Sequence, residues 1–244
     1  MIHKSAIIED DVEIGQNVEI GEFTIIRSGT HIGDNVSIGS HCEIGVPSPL
    51  ASSKTLTIGE GSVIRSHSVF YTGSRFGQKL TTGHRATIRE NVVAGNGLQV
   101  GTLSDIQGDC VIGEYVRFHS NVHIGKTSRI ADCVWIFPYV VLTNDPHPPS
   151  EILTGPTLEK RAIVATGSVV LPGVTVGEDA LVGAGAVVKD DVPARQIYVG
   201  NPGKVVGDVT RIRHKATGKP AYPWYNHYRK GYPEGLLPPV EDQE

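Results

Sequence analysis

One regularity constrains this chain more than any other feature: a large apolar side chain returns at nearly every sixth position. The series runs from Ile2 to Ile44, resumes from Ile58 to Leu142, and resumes again from Val164 to Val188, giving 28 six-residue units in three blocks. A period of six fits neither the 3.6-residue period of an α-helix nor the two-residue alternation of a long strand. It fits a short strand followed by a corner, with one large side chain pointing inward from each strand.

A second, often smaller apolar residue stands two positions before the large one, as at Val36, Cys42 and Cys110. Glycine, asparagine or aspartate often follows the large residue, and we expect these residues to form the corners, because they tolerate backbone bends. Three such units close a three-sided coil of 18 residues, and successive coils stack at about 4.8 Å, the strand spacing of a sheet. The sequence therefore predicts an all-β parallel β-helix of about nine coils over residues 1–206, with both cysteines in its core.

Two insertions and a tail break the repeat. The first insertion, 45–57, is rich in proline and serine and is predicted to be a surface loop. The second, 143–161, concentrates Asn144, Asp145 and His147 between prolines that stiffen it, and is the predicted active-site loop. The basic, aromatic tail, 207–244, abandons the repeat. We expect it to cap the last coil or pack between subunits, since an uncapped β-helix leaves an open strand edge.

Charge and composition exclude several classes of protein. The net charge is -4 and the pI about 6.2, so no overall basic field recruits nucleic acid or a membrane surface. No apolar run approaches the ~18 residues of a membrane span. Three cysteines without paired spacing, and an N-terminus without a leader-like apolar run, favour a reducing compartment, and we expect the protein to be cytoplasmic.

The repeats resemble the hexapeptide-repeat acyltransferase superfamily over residues 2–206. This resemblance implies a left-handed β-helix, a homotrimer with active sites between adjacent subunits, and coenzyme A as the acyl carrier. The segment TTGHRATIREN, taken with LTND and the proline after it, looks like the nucleotide-sugar N-acyltransferases. It implies transfer of acetyl from acetyl-CoA to an amino sugar on a nucleoside diphosphate, in a pathway that makes surface glycans.

Acyl transfer from a thioester requires a base for the nucleophile's proton, and histidine suits that role because its pKa lies near neutrality. His147, in LTNDPHPP, occupies a loop position similar to that of the catalytic histidine of galactoside and maltose acetyltransferases. Asp145 is the residue that would orient it, and Asn144 would hold the sugar or the carbonyl.

The second pair of catalytic candidates is His84 with Glu90, at successive corners of one coil. His84 and His147 lie three to four coils apart in the repeat, so either one of them is the base or the two meet across a subunit interface.

The last coils, followed by VGNPGKVVG, resemble the C-terminal coils of acetyl-CoA-dependent members of the superfamily. By this resemblance, Thr166 and Ala184 would offer backbone groups to the pantetheine arm. Lys189 and Lys204 would meet the phosphates as point charges.

Three alternatives stay open on the sequence alone: an O-acetyltransferase acting on a sugar or small molecule, a zinc-dependent carbonic anhydrase-like protein, and a non-catalytic scaffold. His84, His119 and His123 roughly echo the ligand spacing of the anhydrases. However, His119 follows an inward residue and His123 precedes one, so their rings need not converge on a metal, and we expect no metal site. His123 stands 18 residues after Asp105, which predicts a stacked pair one coil apart.

Overall fold

A computed structural model describes residues 1–240 and shows an all-β parallel β-solenoid of about 11 turns, ended by an antiparallel hairpin. The predicted fold class is confirmed. The prediction missed one repeat unit, and the hairpin adds two strands to one side of the solenoid.

Three parallel sheets form the sides of the solenoid, and their strands are numbered here in chain order. The 10-stranded sheet contains β1 (Ile7–Ile8), β4 (Ile25–Ile26), β7 (Glu43–Val46), β10 (Val69–Tyr71), β13 (Thr87–Ile88), β16 (Asp105–Ile106), β19 (His123–Ile124), β22 (Val141–Leu142), β25 (Val169–Val170) and β28 (Val187–Val188). The 9-stranded sheet contains β2 (Glu13–Ile14), β5 (Thr30–Ile32), β8 (Leu56–Ile58), β11 (Arg75–Phe76), β14 (Val93–Ala94), β17 (Val111–Ile112), β20 (Arg129–Ile130), β23 (Thr157–Leu158) and β26 (Thr175–Val176). The 11-stranded sheet contains β3 (Glu19–Ile20), β6 (Ser37–Ile38), β9 (Val63–Ile64), β12 (Thr81–Thr82), β15 (Gln99–Val100), β18 (Arg117–Phe118), β21 (Trp135–Ile136), β24 (Ile163–Val164), β27 (Leu181–Val182), β29 (Gln196–Gly200) and β30 (Gly203–Asp208).

The six-residue period works because equivalent residues of successive coils pair directly. Ile88 pairs with Ile106, and Ile106 pairs with Ile124, each 18 residues further on. All three side chains are completely buried in one continuous core. Cys42 and Cys110 lie in this core as predicted, and burial raises the pKa of Cys110 to about 12, so its thiol stays protonated at neutral pH.

The corners are built differently from the prediction. The left-handed backbone conformation falls on the third residue after the large inward side chain, as at Asn17 (φ 54°) and Asn35 (φ 57°), and not on the glycine directly after it. That glycine serves close packing between coils: a Cβ built on Gly39 would lie 2.6 Å from the backbone nitrogen of Ser66.

Both insertions leave the solenoid where strands of the 10-stranded sheet end. The first is the loop 47–55, and Asn91 holds it, accepting from the Ser52 backbone N–H at 2.7 Å and donating to the Leu50 carbonyl at 3.0 Å. The second ends earlier than predicted, because strand β23 occupies Thr157–Leu158 and buries Leu158 completely. The second loop is therefore 143–156.

The C-terminal segment closes the molecule in two ways. The hairpin of β29 and β30 extends the 11-stranded sheet beyond its last parallel coil, with β29 parallel to β27. The rest of the tail runs back along the outer face of that sheet and covers three outward apolar side chains, Ile163, Leu181 and Ile197. Residues 209–240 of the tail thus pack on the side of the solenoid, while 241–244 lie outside the described residues. That the tail caps the last coil or packs between subunits stays a prediction.

Helical structure within residues 1–240 is confined to two 3₁₀ turns, Val209–Arg211 and Trp224–Asn226. In that part of the chain no helix has the length and hydropathy needed to cross a membrane.

Candidate active site

The outer face of the 10-stranded sheet carries a polar cluster formed by stacked coils. Pairing of β16 with β19 sets Asp105 beside His123, and the Nδ1 of His123 lies 3.1 Å from Oδ2 of Asp105. Gln107 donates from Nε2 to the same carboxylate oxygen at 2.6 Å, and Arg89 donates to Oε1 of Gln107 at 3.5 Å. We call Arg89, Asp105, Gln107 and His123 the His123 cluster. The stacked Asp105–His123 pair predicted from the 18-residue spacing is confirmed.

The charge state of the cluster follows from these contacts. Burial alone would raise the pKa of Asp105, but hydrogen bonds from His123 and Gln107, with the charges of His123 and Arg89, lower it below its ordinary value. An ionised carboxylate only accepts hydrogen bonds, so the Nδ1–H of His123 donates to Asp105, and whenever the ring is neutral its lone pair lies on Nε2. With 43% of its side chain exposed, His123 is accessible from solvent.

Two predicted residues border this cluster. Glu90 is only 1% exposed and pairs with Arg89, with its two oxygens 3.2 and 3.3 Å from the guanidinium nitrogens. Asn144, at the base of the loop 143–156, lies on the coil after His123, since a Cβ built on Gly125 would be 3.3 Å from the Cβ of Asn144. The second loop therefore rises beside the His123 cluster.

His147 lies on the exposed part of that loop. Its backbone N–H donates to Oδ1 of Asp145 at 3.0 Å, and Ser150 donates to the same carboxylate through its backbone N–H and its hydroxyl at 2.8 and 2.7 Å. The Ser150 hydroxyl is the largest reason why the pKa of Asp145 lies below its ordinary value. Asp145 thus organises the loop backbone, and through it the position of His147.

His84 and Glu90 stand at opposite ends of β13 on two different corners. Nδ1 of His84 lies 2.8 Å from the Ser66 hydroxyl on the preceding coil, whereas Glu90 is paired with Arg89. Within one chain the structure therefore gives these two candidates separate partners.

The predicted cofactor residues divide between two corners. Thr166 and Ala184 lie on adjacent coils of one corner column, where Gly185 donates its N–H to the Thr166 carbonyl at 2.9 Å. Lys189 lies at the far end of β28, and its Nζ is 2.5 Å from Asp190, which raises the pKa of the lysine and offsets its charge. Lys204 is exposed on β30.

The structure does not bring together the rings of His84, His119 and His123. His119 stacks on Phe137 with ring centroids 4.7 Å apart, on the face of the 11-stranded sheet, while His123 points out from the 10-stranded sheet. Within residues 1–240 no group of three or more His, Cys, Asp or Glu side chains is arranged to hold a metal ion. The zinc alternative therefore lacks its ligand set in one chain.

Comparison with known sequences supports the repeat directly. Residues 11–45 match the family model described as bacterial transferase hexapeptide (six repeats). Within 11–45 the chain is thus similar to hexapeptide-repeat transferases. No curated protein matches the sequence.

Comparison with solved structures shows the same fold. The UDP-N-acetylglucosamine acyltransferase of Arabidopsis is 18% identical, with a TM-score of 0.57 over 85% of this chain and 74% of that one. The UDP-N-acetylglucosamine acyltransferase of Bacteroides fragilis is 20% identical, with a TM-score of 0.47 over the same shares, 85% and 74%. A serine acetyltransferase bound to cysteine is 26% identical, with a TM-score of 0.40 over 47% of this chain and 43% of that one. At 18% identity the first likeness concerns the fold.

Proposed function

We propose that this protein is an acyltransferase that moves the acetyl group of acetyl-CoA to the amine of a sugar carried on a nucleoside diphosphate. The observation that supports this best is the His123–Asp105 pair, which sits on an open sheet face beside the loop 143–156. A histidine held at Nδ1 by a carboxylate, with Nε2 free, is a general base suited to neutral pH. The match of residues 11–45 to a transferase repeat agrees with this chemistry.

In the proposed reaction the sugar amine attacks the thioester carbonyl, forming the new C–N bond and a tetrahedral oxyanion. Nε2 of His123 takes the proton of the amine, and Asp105 stabilises the resulting imidazolium. Asn144, beside the cluster, is the proposed donor to the oxyanion. Collapse of the intermediate breaks the C–S bond, and the leaving thiolate takes the proton back from His123, giving amide and free coenzyme A.

A covalent acyl-cysteine is not part of this proposal. All three cysteines are buried, and burial raises the pKa of Cys110 and of Cys133 to about 12 and that of Cys42 above its ordinary value. A thiol that stays protonated and inaccessible is a poor nucleophile. Direct transfer is the simpler route.

We further propose that the active protein is a homotrimer, with its sites between subunits. The outer face of the 10-stranded sheet lies open beside His123, so a second copy can close the groove in which the pantetheine arm lies. The proposed contacts to coenzyme A are still Thr166, Ala184, Lys189 and Lys204. His84 and Glu90 would act in catalysis only if the neighbouring subunit brings them to that groove.

The decisive experiment measures thiol release from acetyl-CoA by dialysed protein offered a panel of nucleotide-linked amino sugars. We expect His123→Ala to lower kcat/KM at least tenfold, about 1.4 kcal/mol. The matched control is His31→Ala, because His31 forms a similar stacked pair with Glu13 at 3.3 Å on the 9-stranded sheet, far from the second loop. That control should leave turnover unchanged.

Two further variants test the rival bases. If His147→Ala abolishes turnover and His123→Ala does not, the base lies in the loop, and the same logic applies to His84→Ala.

The acceptor panel includes sugars with hydroxyls only, because a His–Asp pair would equally serve O-acetylation. A protein that releases thiol with neither acceptor is not the proposed enzyme.

A further inference from the structure

An aromatic groove lies between the C-terminal tail and the outer face of the 11-stranded sheet. It consists of two adjoining cavities that share Trp135 and Tyr228. The first has a volume of about 230 Å³ and adds Phe137, Tyr222 and Trp224 to its lining. The second has a volume of about 390 Å³ and adds the polar side chains of Gln99, Arg117 and Ser120. The groove therefore has one aromatic end and one cationic end.

The sheet side of the groove presents rings in a row. His119 stacks on Phe137 at 4.7 Å with an angle of 15°, and Trp135 follows Phe137 at 5.9 Å with an angle of 23°. Burial, and then the charge of Arg117, lower the pKa of His119, so this ring is neutral at pH 7. A row of nearly parallel uncharged rings is a stacking surface for another planar ring, such as a nucleic-acid base.

Arg117 supplies the charge at the other end. It is 8% exposed, and its guanidinium lies 4.4 Å from the Tyr232 ring and 4.7 Å from the Trp135 ring. Its hydrogen-bond acceptors are the Lys230 carbonyl at 2.8 Å and the Tyr228 hydroxyl at 3.3 Å, both neutral. Among residues 1–240 no carboxylate forms an ion pair with it. A buried guanidinium is normally paired with an anion.

We propose that this groove is a nucleotide subsite, in which the base stacks in the aromatic cavity and a phosphate lies against Arg117. An aromatic ring joined to an anion is the ligand chemistry that both ends require. The groove adjoins the proposed active site, because His119 lies only four residues before His123, around a single corner of the solenoid. The assignment of this subsite to acyl transfer rests on the proposed function, whereas nucleotide binding itself does not.

Two sources of nucleotide fit this chemistry: the nucleoside diphosphate of the sugar substrate and the adenosine 3′,5′-bisphosphate end of coenzyme A. The test titrates the full chain with UMP, thymidine monophosphate, adenosine 3′,5′-bisphosphate, uridine and inorganic phosphate. The intrinsic fluorescence reports on the groove directly, because the chain has two tryptophans and both line it. We expect saturable quenching by a nucleotide, and binding of UMP or the bisphosphate at least tenfold tighter than that of uridine or phosphate alone.

Three variants locate the ligand. Phe137→Leu should weaken nucleotide binding at least tenfold while the far-UV circular dichroism and Tm stay unchanged. Arg117→Met should remove the preference for UMP over uridine, and Arg117→Lys should keep part of it, which separates loss of charge from loosening of the tail. The control is Tyr139→Ser, since Tyr139 is exposed on the neighbouring corner, outside the groove.

The titration results then identify the source of the nucleotide and test the proposal. Quenching by the pyrimidine nucleotides assigns the groove to the sugar substrate, and quenching by the bisphosphate alone assigns it to coenzyme A. Absence of quenching by any nucleotide, or unchanged affinity in Phe137→Leu, overturns the subsite. His123→Ala separates the two proposals, because it should lower kcat/KM at least tenfold and retain nucleotide binding. Binding without turnover in the wild type would defeat the enzyme assignment alone.

Discussion

The corners of the solenoid have two special positions, which select their residues for different steric reasons. Asparagine tolerates the left-handed conformation at the third corner position, because its short polar side chain can bond locally. Asn91 has φ 59° there, and even Phe23 adopts φ 57°. The glycine two positions earlier has no unusual φ, and what it provides is room for the next coil.

This distinction predicts different effects on stability at two glycines. Gly39→Ala should lower the free energy of unfolding by about 1–3 kcal/mol, the usual cost of overpacking, because its Cβ meets backbone of the next coil. Gly61→Asn, at φ 68° with only the flexible Lys79 side chain nearby, should be close to neutral. Urea unfolding curves compare the two, and equal destabilisation would refute the assignment of roles.

Asp105, the partner of the candidate base His123, also contributes to the stability of the folded state. Its pKa in the folded protein is lowered from the ordinary 3.8, because the hydrogen bonds and charges around it outweigh its burial. A lowered pKa stabilises the folded state above the unfolded value, and this contribution is lost as the pH falls through the folded value.

We therefore expect Asp105→Asn to be less stable than the wild type at pH 6. The difference should shrink as the pH falls below 3.8 and through the lower pKa of the folded state, because the wild-type carboxyl then also becomes protonated. Thermal unfolding at pH 6, 4 and 3 measures this, with Asp10→Asn as an exposed control. A gap that stays constant with pH would mean that the charge of Asp105 does not matter.

At the scale of elements, the tail buries outward apolar side chains on one face of the 11-stranded sheet. Ile163, Leu181 and Ile197 point outward on consecutive strands of the 11-stranded sheet, where a bare solenoid would expose them. Trp224 covers them from the tail, and its indole N–H donates to the Arg161 carbonyl at 3.1 Å. A second, smaller core thus forms outside the solenoid.

Trp224→Ala should release the tail and leave the solenoid folded. Removing a buried Trp costs about 3–5 kcal/mol, so the open population of the tail should rise about 100-fold or more. Limited trypsin digestion should then cut faster at Arg213 and Lys215, with an unchanged β-sheet circular dichroism spectrum. Lys219→Ala, an exposed change in the same tail, serves as the control. Equal cleavage rates in the two variants would show that Trp224 does not anchor the tail.

At the scale of the whole molecule, each coil contacts only its neighbours, so local stability depends on position along the axis. In this structure the strands of the first coil pair on one side only, with the second coil. Ile2 is 44% exposed, and Ile8 and Ile14 are only partly buried, although they occupy the same inward positions as the buried Ile88. The opposite end is closed by the hairpin of β29 and β30.

We expect Ile88→Ala to cost about 2–5 kcal/mol of unfolding free energy, as a large-to-small change in a closed core. Ile8→Ala, the same substitution at the open end, should cost clearly less. Urea unfolding measures both, and hydrogen exchange should show faster exchange at the N–H of Ile7 than at that of Thr87. A solenoid in which both substitutions cost the same would unfold as one unit from end to end.

How much the sequence predicts differs between fold and site. The period of six predicts the sheets, their register and the buried cysteines. The period did not reveal Leu158 as an inward residue, although it lies six residues before Val164. The unit around it is interrupted by proline and glycine in ILTGPTLEKR. For the site, the 18-residue spacing predicts Asp105 beside His123. The same spacing relates Arg89 to Gln107 and could have indicated the whole cluster. The resemblance to known motifs favoured His147 and His84 instead.

By itself the sequence determined what depends on position within the repeat: which side chains point inward, which residues stack, and how coils pair. The physical reason is that a solenoid translates sequence separation directly into distance. Only the tertiary structure decided contacts between parts that share no repeat: the path of the tail over Trp135 and Ile163, the cage of rings around Arg117, and the use of Asp145 to shape its own loop. Such contacts depend on side-chain packing between irregular segments, which no periodicity encodes.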